Sequence, residues 1–145
     1  MSTQKIMMKL GGLMKTVDAI IEVREAISDI LINAGFIKGT SSGSNNTPMF
    51  WFINVSGTGA SKKQTYLTYN IVDLERTSFG DGKPIIRKAT ISINLYSRKK
   101  NVDDYLTALN NAFLNENWVF ELDRIDYDNA NQLYVYSFLT SCQVG

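Results

Sequence analysis

The 145-residue chain contains no histidine, which removes the commonest general base, the usual partner of a serine or cysteine nucleophile and the commonest transition-metal ligand. Carboxylates and one thiol carry the remaining chemistry. Asp103 with Asp104 and Asp126 with Asp128 are the notable carboxylate pairs, and clustered carboxylate oxygens are what Mg²⁺ or Ca²⁺ requires. Each pair has a simpler role: the first complements the start of an expected helix, and the second flanks an expected turn. Cys142 has no base near it in sequence and reads as a small apolar filler. The glycines of SGTGASKKQ (56–64) lack the GxxxxGK[ST] spacing and precede a strand rather than a helix, so no helix N-terminus is there to receive a phosphate. The expectation is a non-enzyme with no catalytic residue, no metal and no cofactor.

The elements that would position any site belong to one ordinary domain. The composition, 44% hydrophobic and 20% charged, is that of a globular protein able to bury a core. A net charge of +1 offers no overall attraction to phosphate, so specific nucleic-acid binding is not expected. No segment approaches the roughly 18 apolar residues of a membrane helix, and a single cysteine fits a reducing compartment. Residues 1–15, interrupted by Lys9, Gly11 and Gly12, read as a flexible or partner-ordered arm ahead of a domain over 16–145. Charge is uneven: Lys83, Arg87, Lys88, Arg98, Lys99 and Lys100 precede an acidic stretch from Asp103 to Asp128. Either these are solvated faces of one domain, or they meet between subunits.

The spacing of Val17, Ile20, Ile21, Ile27, Ile30, Leu31 and Ala34 predicts an amphipathic helix from Thr16 to Ala34, capped by Thr16 and ended by Gly35, with Phe36 folded back onto it. KGTSSGSNNT (38–47) reads as a loop, and PMFWFINV (48–55) as a strand entered through proline. Strands follow at 65–72 and 85–97, the second with Ala89, Ile91, Ile93 and Leu95 on its core face. The connection Asp73–Pro84 reads as a long hairpin with a projecting tip. Asn101 caps a second helix with the stripe Tyr105, Leu106, Leu109, Ala112 and Phe113, and strands at 118–127 and 132–140 flank a turn at 128–131. Tyr134, Tyr136 and Phe138 line one face of the last strand. The order α-β-β-β-α-β-β predicts an α+β fold: a mainly antiparallel sheet with helices on one face.

The succession TYLTYNIVD, SFGDGKPIIRK, ATISINLYSRKK, an acidic-capped helix and an aromatic-rich final hairpin resembles the small tail-terminator and tail-completion (head–tail joining) proteins of long-tailed bacteriophages. The resemblance covers roughly residues 65–140 and, less clearly, the first helix. It implies a structural protein of the virion, assembled in the host cytoplasm, that caps the finished tail tube as a ring, commonly a hexamer, and presents the head-joining surface. The implied partners are further copies of itself, the major tail-tube protein and a head-completion or connector protein. A ring needs two different patches on each subunit, and Phe79, Asp81, Lys83, Arg98, Lys99 and Lys100 are the candidate interface residues. A head–tail adaptor or minor capsid component is the nearest alternative. A nucleic-acid-binding accessory protein, using the basic segment and aromatic strand faces, is the alternative from another class.

Overall fold

The computed structural model describes residues 16–40, 47–53, 64–78 and 84–143, with the side chains of 16, 77, 78, 84 and 85 left aside. The expectations for the arm 1–15, for most of the loop 38–47, for SGTGASKKQ up to its last residue and for the hairpin tip with Phe79, Asp81 and Lys83 lie outside the described residues. The first helix, α1, spans Thr16–Asn33. Two short strands follow, β1 (Ile37–Lys38) and β2 (Met49–Phe52), then two long ones, β3 (Thr65–Ser78) and β4 (Pro84–Ser97). The second helix, α2 (Asp103–Asn115), leads into β5 (Val119–Asp128) and β6 (Leu133–Gln143).

All six strands form one sheet in the order β1-β2-β3-β4-β6-β5. The β1–β2 and β2–β3 pairs are parallel and the others antiparallel, so the fold is the expected mainly antiparallel α+β type with one further small strand. That strand uses Lys38, the first residue of the expected loop. Ile37 N–H donates to the Pro48 carbonyl and Gly39 N–H to that of Phe50, pairing that GTSSGSNNT could not advertise by composition.

Both helices pack on one face of the sheet around a single core. The core face of β4 is the expected one, with Ala89, Ile91, Ile93 and Leu95 all buried. Phe113 of α2 stacks on Phe120 at 5.0 Å, and Phe120 on Phe138 at 4.7 Å, so the aromatic row of β6 meets a helix-side core. The opposite face is largely Ser, Thr and Asn, joined by bonds such as Ser137 Oγ to Asn94 Oδ1 at 2.7 Å. One end of that face carries a small cluster in which the Tyr66 and Tyr96 rings stack at 4.7 Å.

The α1 face is the expected one in its second half, with Ile27, Ile30 and Leu31 buried, and differs in its first half. Ala19, Val23, Ala26, Ile27, Ile30 and Leu31 are buried, whereas Val17 and Ile21 are exposed. Both candidate stripes have helical spacing, and the one rich in alanine allows close approach to the sheet. The helix ends as expected: Gly35 at φ 99° lets Phe36 N–H reach the Leu31 carbonyl and Gly35 N–H that of Ile32. The second helix ends the same way, with Asn117 at φ 62° in the glycine's place, Trp118 N–H on the Phe113 carbonyl and Asn117 N–H on that of Leu114. At its start, Asn101 Oδ1 accepts from Asp103 N–H at 3.0 Å, while the cap position itself falls to Val102.

The hairpin is longer in its strands and shorter in its turn than expected. Pairing continues to Ser78↔Pro84, leaving five residues, 79–83, between the strands. Two register shifts, after Ile71 and after Glu75, carry the ladder through the polar stretch that hid it. β2 pairs with β3 only as far as Tyr69, and β6 with β4 only as far as Lys88. The far end of the hairpin therefore has no other strand beside it among the described residues, and it projects.

Candidate functional site

Of the six candidate interface residues, Arg98, Lys99 and Lys100 are described, and all three are exposed. The backbone beneath them is held firmly. Arg98 N–H donates to the Gln64 carbonyl at 2.8 Å, Lys99 N–H to Ser97 Oγ at 3.0 Å, and Tyr136 Oη–H to the Lys100 carbonyl at 3.3 Å. Ser97 Oγ is itself within 3.0 Å of Thr65 Oγ1, so the turn is tied to β3. The phenol of Tyr66 titrates above its ordinary value, chiefly through burial and then through Tyr96, with Arg98 opposing and Asp128 adding to the shift. Basic run and acidic turn thus lie at the same end of the subunit. Pro84, where β4 begins, lies at the opposite end of that strand, roughly 40 Å from the basic run for a strand of this length.

The carboxylate pairs keep structural roles. Asp103 and Asp104 lie in the first turn of α2. The Asp128 carboxylate accepts from Ala130 N–H at 3.0 Å, Asn131 N–H at 3.3 Å and Asn131 Nδ2 at 2.7 Å, which holds its pKa below the ordinary value, the Asn131 side chain contributing most. Asp126 pairs with Arg124 at 2.9 Å. Among the described residues, no group of three acidic, cysteine or histidine side chains could hold a metal ion. Cys142 is buried against β4, and burial pushes its thiol up to about 12, the opposite of what a nucleophile needs. No described helix is long and apolar enough to cross a membrane.

The feature that sequence reasoning missed is the edge position of the expected strand at 118–127, which is β5. β5 has a neighbour on one side only among the described residues. On its helix-side face Leu122, Ile125 and Tyr127 are 53%, 54% and 46% exposed, because α2 covers this strand only near Phe120. On the other face Val119 and Leu139 are also exposed. Exposed edges of this length and apolar content invite another strand, and proteins usually guard them with charge or bulges. Here Glu121, Asp123, Asp126 and Asp128 supply the charge, and a register shift between Leu122 and Arg124 supplies the bulge. That bulge hid the row: Leu122 and Ile125 are three residues apart, so simple alternation assigns them to opposite faces. The spacing was the available signal.

Among the described residues, a second open region lies beside β3, where β2 ends. Ile53, just past β2, sits at φ 67°, a strained conformation for a β-branched residue. Beyond it a groove of about 730 Å³ runs along Asn70–Arg76, walled by Ile20 of α1 and by Phe52. No known family model matches the chain, and no curated protein matches it.

Proposed function

We propose that this chain is a structural subunit of a long-tailed bacteriophage, a tail terminator that closes as a ring on the completed tail tube and offers the surface on which the head is joined. The order of sequence motifs over residues 65–140 supplies the identity of the assembly. The observation that carries an assembly role is β5: a ten-residue outer strand with exposed apolar side chains on both faces. A contiguous apolar surface of this kind marks a protein-binding site more often than a solvent-facing one. The projecting β3–β4 hairpin adds a second, different surface, and two different surfaces are what a head-to-tail ring contact uses.

The test is tail-tube growth. Major tail-tube protein is polymerised with and without the purified chain, and tube lengths and ends are read by electron microscopy. Arrested growth with ring-shaped density at one tube end is the expected result. An unchanged length distribution, together with a strict monomer in light scattering at all concentrations, would remove the proposal. Binding to isolated head connectors without any effect on tubes would place the chain among head–tail adaptors instead.

A further inference from the structure

We infer that the outer edge of β5 is the docking site for residues 5–10 of a second copy of this chain, which add to the sheet as a seventh strand. This deepens the ring reading and rests on it, since it names the contact between neighbours. β5 presents an apolar row on one face, Leu122, Ile125 and Tyr127, and on the other a mainly acidic row, Glu121, Asp126 and Asp128, with Arg124 set among them and paired to Asp126. The segment Lys5-Ile6-Met7-Met8-Lys9-Leu10 has the matching alternation. In an extended strand Ile6, Met8 and Leu10 share one face while Lys5, Met7 and Lys9 share the other. Added to the edge, the first set lies beside the apolar row and the lysines beside the carboxylates, with strand-to-strand hydrogen bonds between.

Charge selects this occupant over the obvious competitor. The strand carries four carboxylates and one arginine, a net charge of −3 from Val119 to Asp128, so two β5 edges repel each other. Residues 1–15 hold Lys5, Lys9 and Lys15 and no acidic residue, a charge of +3. The supplier is a second copy because the first turns of α1, marked by Ile20, lie at the β2–β3 side of the sheet. A subunit's own β5 is at the far edge, three strand spacings away, and α2, which touches both α1 and β5, stands between, so residues 11–15, about 17 Å long when fully extended, would have to pass around that helix to reach it. Arm and edge are different surfaces of one chain, so each copy gives one contact and receives one, which is the head-to-tail arrangement that closes into a ring.

The experiment uses the full chain. A Met8→Cys preparation is mixed with an Ile125→Cys preparation under mild oxidation, and linked peptides are identified by mass spectrometry. Cys142, buried with a raised pKa, does not compete. The expected product joins positions 8 and 125 between chains. Its absence, or a link formed only within one chain carrying both changes, would overturn the inference. In parallel, Lys5→Glu with Lys9→Glu should weaken self-association roughly ten- to thirty-fold, the order expected when two cross-strand charge pairs turn repulsive. Adding Glu121→Lys and Asp126→Lys to that chain should restore association, and failure to restore it would also overturn the inference. The two readings fail separately: the 8–125 link without tube arrest sinks the tail-terminator function alone, and tube arrest by the Lys5→Glu/Lys9→Glu protein with undiminished association sinks the arm contact alone.

Discussion

Two rows of apolar side chains on the same face of one sheet have opposite fates. Ile91, Ile93 and Leu95 in β4 are fully buried under the two helices, whereas Leu122, Ile125 and Tyr127 in β5 are about half exposed. The residue types are alike and the strands are separated only by β6. What differs is cover. α2 reaches β5 through the Phe113–Phe120 stack and leaves the rest of the strand open. An apolar row therefore stabilises the subunit in one place and stays about half open in the other, and only position in the sheet separates the two.

The largest expected effect lies where cover is complete. Phe113 is fully buried and touches both Trp118 at 5.8 Å and Phe120 at 5.0 Å. Phe113→Ala should cost about 3–5 kcal/mol of folding stability, measured by urea denaturation, and a loss below about 1 kcal/mol would mean that α2 contributes little to the core. A middle effect is expected at Gly39, where an added Cβ would run into the indole of Trp51. Gly39→Ala should cost about 1–3 kcal/mol, as overpacking does, and a neutral result would show that the β1–β2 corner yields easily. The smallest effect on the isolated subunit is expected on the open row. Leu122→Ser should change monomer stability by no more than about 0.5 kcal/mol while reducing self-association. A large fall in monomer stability would place Leu122 in the subunit's own core and break the contrast between the strands.

Much of this architecture was legible in local pattern. The alternation of Ala89, Ile91, Ile93 and Leu95 identified a strand and its core face because a half-buried strand repeats every two residues. Gly35 marked the end of α1 because few other residues adopt its φ of 99° without strain. The N-terminal face of α1 was misread because Val17, Ile20 and Ile21 have the same helical spacing as Ala19, Val23 and Ala26. Periodicity alone cannot rank two stripes that both satisfy it. The end of β3 was misread because two register shifts break the alternation on which strand reading depends. Of the candidate site, the basic run Arg98–Lys100 was visible as charge. Its distance from the first residue of β4 was not, since that distance is set by how far the β3–β4 ladder runs.

The sequence by itself determined the order of the two helices and the five longer strands and their amphipathic character, because helix period and strand alternation are properties of near neighbours along the chain. Tertiary structure alone decided that β5 lies at the edge of the sheet and that α2 stops short of covering it. It also decided that a bulge at Asp123 turns Leu122 and Ile125 to the same side. Those outcomes depend on which strands pair and where a helix comes to rest, contacts between residues far apart in the chain that no local periodicity records.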